Sequence, residues 1–134
     1  MTQAHRFKID KLIRDQLPQM MRASGIQVFE TVMEKDEYVK RLKDKLLEEA
    51  KEVIASASAE EVREELADVW EVMSALVKIY AMEWTDIQQA AELKRSKKGG
   101  FDGRVYVDSV IIASDHPQHE HYMLRPEQYP QEPV

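Results

Sequence analysis

Apolar positions recur at helical spacing in two long stretches of the chain. Val39, Leu42, Leu46, Ala50, Val53 and Ile54 fall on one face when successive residues advance by about 100°. Val62, Leu66, Val69, Val72, Met73, Leu76, Val77 and Tyr80 do the same, and together with Trp70 they cover more than half of their helix. Punctuation places the boundaries. Asp36 can cap the first of these helices, which runs to about Ala57. Ser58-Ala59-Glu60-Glu61 has the form of a capping box and starts the second, which runs to about Ala81. Thr85-Asp86-Ile87-Gln88 is another such box, opening a further helix that ends at Gly99-Gly100. Upstream, Asp15 can cap a short helix with Pro18 in its first turn and Gly25 at its end. Phe7 to Arg14 reads as an extended lead-in. Gln27 to Met33 and Arg104 to Ala113 are rich in β-branched and aromatic residues and predict short strands, the second with His121 to Leu124 pairing back as a hairpin. Pro126, Pro130 and Pro133 indicate an extended tail.

These elements predict an all-α fold, a bundle of about four helices with a short C-terminal β segment. One domain spanning 1–134 accommodates them, with its core in about 8–113 and 114–134 as an extension. The helix starting at Ser58 is too apolar all round for so short a chain to bury alone, which predicts a homo-oligomer, a dimer or tetramer, whose interface completes the core.

The acidic residues change the picture. Glu49 lies at the edge of the apolar arc of its helix and Glu52 roughly 60° further out, while Glu48 points almost opposite the arc's centre. On the next helix Glu65 falls inside the apolar stripe and Asp68 borders it. Acidic helix faces are commonly solvated and paired with Lys, a reading that suits Glu48, Glu64 and Glu71. It suits Glu65 badly, because a carboxylate buried alone must be neutralised, paired or bound to metal. A salt bridge to Lys or Arg is the rival account of Glu65. Carboxylates at i, i+3 spacing on two adjacent helices would meet at one place, and oxygen-only donors suit Mg²⁺ or Mn²⁺.

Composition narrows the setting. The chain has 134 residues, no Cys and a net charge of −6, so disulfides and thiolate chemistry are excluded and general nucleic-acid binding through phosphates is disfavoured. No apolar run reaches membrane-helix length and no secretory leader is apparent, so a cytoplasmic protein is expected. Against that acidic balance, Lys94 to Arg104 packs five cations and three glycines into eleven residues. Lys and Arg bind phosphate and glycine lets backbone approach a ligand, although cations at a helix C-terminus also answer its dipole. A metal together with fixed cations is what a polyphosphate needs.

Glu48-Glu49-Ala50-Lys51-Glu52 followed by Glu65-Leu66-Ala67-Asp68 matches the pattern EExxE…ExxD. In this the chain resembles the all-α nucleoside triphosphate pyrophosphohydrolases, the MazG-like and phosphoribosyl-ATP pyrophosphohydrolase superfamily. Lys11-Leu12-Ile13-Arg14-Asp15-Gln16-Leu17-Pro18 is similar to the KLVRDxIP opening of one phosphoribosyl-ATP pyrophosphohydrolase-like branch, and Lys98-Gly99-Gly100-Phe101 with Arg104-Val105-Tyr106 to its closing segment. The resemblance spans roughly residues 8 to 108 and implies hydrolysis of a nucleotide between its α and β phosphates. It implies Glu49, Glu52, Glu65 and Asp68 as ligands of Mg²⁺, with Mn²⁺ as a substitute. Within that frame Glu48 and Glu49 are the catalytic candidates, Glu48 as a group that orients or deprotonates water or as a merely solvated one. Lys94, Lys98, Arg104 and Arg14 are expected on the phosphates.

Trp70, Trp84 and Phe101 are candidates to stack on a base, with core packing as the commoner role. His116, His119 and His121 suit a soft metal poorly without Cys. Two alternatives stand beside the leading expectation: the phosphoribosyl-ATP step of histidine biosynthesis, and a non-catalytic helical oligomerisation or regulatory module.

Overall fold

A computed structural model describes residues 2–134 and is all-helical, with no strand among the described residues. Five helices follow in order: α1 (Leu17–Ala23), α2 (Lys35–Ala55), α3 (Ala59–Ile79), α4 (Trp84–Lys98) and α5 (His119–Met123). The chain divides into two compact units, one running to Leu93 and the other from Lys94 to Val134, so the boundary falls within α4. The first unit holds α1, α2, α3 and the start of α4, and the smaller second unit holds the rest of α4 and α5.

The first unit is organised by the α2–α3 hairpin. The short link Ser56 to Ser58 turns the chain back, and the apolar stripes of the two helices meet, burying Leu42, Val72 and Val77. The turn is closed as its sequence predicts: Ser58 Oγ accepts from Glu61 N at 3.2 Å, and the Glu61 carboxylate accepts from Ala57 N at 2.8 Å. α1 stops at Gly25, whose φ of 93° is open to glycine without cost; Gly25 N donates to Arg22 O and Ile26 N to Met21 O. α4 starts two residues earlier than its capping-box pattern suggests, with the Asp86 carboxylate accepting from the amide of Glu83.

The β segment does not form. Arg104 to Ala113 makes no ladder, and Val105, Tyr106 and Val107 stand exposed. β-propensity expresses how a side chain packs against neighbouring strands, and a lone run of β-branched residues has nothing to pair with. The expected return strand coils instead into α5, where Tyr122 packs edge-on against Tyr129 at 4.9 Å and His121 stands edge-on to Tyr122 and tilted to Tyr129. Gln27 to Met33 likewise lacks a partner strand; Phe29 lies under the Arg6 guanidinium at 4.6 Å, and Arg22 pairs with Glu30 at 2.6 Å.

Candidate metal centre

α2 and α3 each bring two carboxylates to one place. Glu49 and Glu52 stand one turn apart on α2, Glu65 and Asp68 one turn apart on α3, and the hairpin sets these pairs opposite each other. One oxygen from each of the four lies within 4.8 Å of the others, and no other such group exists among the described residues. All four belong to the first unit.

Two observations set this cluster apart from a solvated acidic face. Glu49 is 5% exposed, the one buried charged residue among those described. Its Oε2 and the Oε2 of Glu65 are both buried without a hydrogen-bond partner. A buried carboxylate oxygen with no donor forfeits its hydration and recovers nothing, so the arrangement is costly unless a cation completes it. The titration of Glu49 reflects this. Burial, and then the Glu52 carboxylate beside it, raise its pKa above the ordinary value, and the ion pair from Lys45 only partly opposes them. The donor set is oxygen only and dianionic per helix, which suits a hard divalent cation such as Mg²⁺ or Mn²⁺. The residues present therefore fit the ion that their spacing leads one to expect.

Glu48 pairs with lysines, as an acidic helix face commonly does. Its side chain is only 28% exposed, because Lys11 reaches it at 3.0 Å and Lys45 at 3.4 Å. Burial works against its charge, but the hydrogen bond from Lys11 and the charge of Lys45 outweigh that and hold its pKa below the ordinary value. The Lys11 ammonium is correspondingly held in its charged form, its pKa raised chiefly by the hydrogen bond to Glu48. A carboxylate so stabilised as an anion is a weak proton acceptor, which suits Glu48 to orienting a group rather than deprotonating one.

Lys45 is the residue that sequence reasoning passed over. It lies 3.4 Å from Glu49 as well as from Glu48. Its position one turn before both acids on α2 was the available signal. Arg14, expected on phosphate, lies against the cluster itself, with Nη2 2.7 Å from Oδ1 of Asp68. Beside these groups opens a cleft of about 670 Å³, floored by Glu49 and Asp68 and walled by Arg14, Leu17, Met20, Tyr38, Leu42 and Val72. Its volume lies within the usual range for small-molecule sites, and it joins an apolar wall to an anionic floor.

Lys94, Lys98 and Arg104 belong to the second unit, where they are exposed and form no ion pair among the described residues. Trp70 and Trp84 stack on one another at 4.3 Å, and the Trp84 indole N–H donates to Ser74 Oγ. The pair thus ties α3 to the start of α4. Phe101 is 98% exposed, so core packing is not its role in this chain. His116 Nδ1 accepts from Gln118 N, and His121 packs with the tyrosines, so neither joins a metal-binding group. No helix among the described residues is long and apolar enough to cross a membrane. No family model, no curated protein and no solved structure matches the chain.

Proposed function

We propose that this protein is a Mg²⁺-dependent nucleotide pyrophosphohydrolase, cleaving a nucleoside triphosphate or related nucleotide between its α and β phosphates to give a monophosphate and pyrophosphate. The observation that carries the reading is the pair of buried, unpartnered oxygens of Glu49 and Glu65 within a four-carboxylate set beside a cleft of ligand size. Four clustered carboxylates, two of them lining the cleft, repel a polyphosphate unless a cation stands between them. The site therefore makes chemical sense for an anionic substrate only as a metal site.

Glu49, Glu52, Glu65 and Asp68 would hold the ion, which when bound offsets phosphate charge and lowers the pKa of a coordinated water. Of the two catalytic candidates, Glu49 acts as a ligand of the ion, and Glu48, held as an anion by Lys11 and Lys45 beside the cluster, orients the attacking water. Arg14 supplies a phosphate contact from beside the ligands. The resemblance of EExxE…ExxD and of the opening segment to the MazG-like superfamily supports the same chemistry.

Incubation with Mg²⁺ and a panel of nucleotides is expected to release pyrophosphate and the matching monophosphate from at least one of them. Absence of turnover across the panel by folded protein would favour a non-catalytic helical module instead.

The active form is proposed to be a homodimer or larger assembly. Leu47, Ile54, Leu66, Trp70 and Tyr80 of the hairpin region are each at least half exposed, an apolar surface that the few buried residues of one chain leave uncovered. A solution mass of at least twice 15.6 kDa is expected, and a strictly monomeric protein at micromolar concentration would refute the assembly.

A further inference from the structure

One member of the acidic cluster already has a cation. The Arg14 guanidinium lies 2.7 Å from Oδ1 of Asp68, and Arg14 comes from the segment that precedes α1, far from α3 in sequence. The same segment sends Lys11 to Glu48 on α2. It thus reaches across the hairpin with two cations, one on an acid of the four-carboxylate set and one on an acid outside it. Between them, Leu12 and Ile13 are half-buried, so the segment has an apolar hold on the hairpin that does not depend on either ion pair. Both cationic side chains are about half exposed, which keeps the pairs weak and exchangeable.

A guanidinium at 2.7 Å and a divalent ion compete for the same carboxylate. The ion brings twice the charge and draws on three further carboxylates, whereas Arg14 has Asp68 alone among its ion pairs. We infer that Arg14 is an internal counter-ion that holds Asp68 while the site carries no divalent cation and yields it when the cation arrives. The freed guanidinium then faces the cleft it lines, at the mouth of the metal centre, where a phosphate is the natural next partner. The inference rests on the metal reading given above. It adds that binding of the cation and arming of Arg14 are one event, so the enzyme presents its phosphate-binding arginine only when loaded.

The test is calorimetric titration of Mg²⁺, and separately Mn²⁺, into the metal-free full-length protein and into Arg14→Gln and Lys11→Gln. Both substitutions remove one positive charge from the same segment, but only the first frees Asp68. Arg14→Gln is expected to bind the cation about two- to fivefold more tightly than the wild type, the usual range for loss of one exposed ion pair, and Lys11→Gln distinctly less so. In the wild type, the Arg14 Nε–H resonance is expected to shift on adding Mg²⁺ with the midpoint seen by calorimetry. That measurement needs no variant to fold. Equal affinities for the two variants, or an Arg14 resonance unmoved at saturating Mg²⁺, would overturn the inference while leaving the metal centre standing. A wild type that binds neither cation would instead remove the metal centre, and the inference with it.

Discussion

Glu65→Gln is expected to abolish pyrophosphate release while leaving the helical content of the metal-free protein unchanged. Glu65 is half-buried on the apolar face of α3, and its Oε2 has no hydrogen-bond partner. The amide has the same shape, so packing is retained, but it is a poor ligand for a hard divalent ion and carries no charge to balance it. Changes to groups that merely support a metal ligand cost about 10–100-fold in affinity or activity, so loss of a ligand itself should exceed that. Circular dichroism of the metal-free variant checks the fold, and the pyrophosphate assay checks the chemistry. Near-native turnover would mean that Glu65 holds no metal and that its burial has another cause.

The second large effect is one of stability and concerns Glu49. Its folded-state pKa is raised, so the stability tied to this residue is fully present below the ordinary carboxylate value. That stability is lost as pH rises through the raised one. At neutral pH the metal-free protein therefore carries a buried, crowded charge that opposes folding. Glu49→Gln removes the charge and its repulsion with Glu52. The variant should therefore melt above the wild type at neutral pH in the absence of metal. It should also lose most of the stabilisation that Mg²⁺ confers on the wild type, because a cation that binds only the folded state stabilises it by mass action. Glu48 has the opposite dependence: with a lowered pKa, its contribution holds above the ordinary carboxylate value and is lost as pH falls through the lowered one. Thermal melts of wild type and variant against pH, with and without Mg²⁺, separate the two. A Glu49→Gln protein that melts below the wild type at neutral pH would show that the Lys45 pair, not the burial, dominates at this site.

Both expectations trace to positions that helical geometry reveals. Placing Glu65 inside an apolar stripe and Glu49 at the edge of another needs only the turn per residue and the identity of the neighbours, and the burial follows. The capping box at Ser58 and the glycine at Gly25 were legible for the same reason, since each acts within a few residues of itself. The failures share a cause too. Arg104 to Ala113 has the residues of a strand, but a strand is a relation between two segments, and its intended partner found a helical turn cheaper because that turn closes locally. That Lys11 is a partner of Glu48 was not legible, because the angle Glu48 makes on α2 is silent about a segment more than thirty residues away.

Local order along this chain was written in its amino acids: where α2 and α3 lie, which of their faces is apolar, and which four acids stand at ligand spacing. Their meeting at one place was expected from that spacing on adjacent helices; only the folded hairpin decided that two of their oxygens are left without partners and that Arg14 reaches Asp68. The division has a physical origin. Helix phase and capping are set by interactions a few residues apart, whereas convergence of charges from separate segments depends on how those segments pack, which periodicity does not encode.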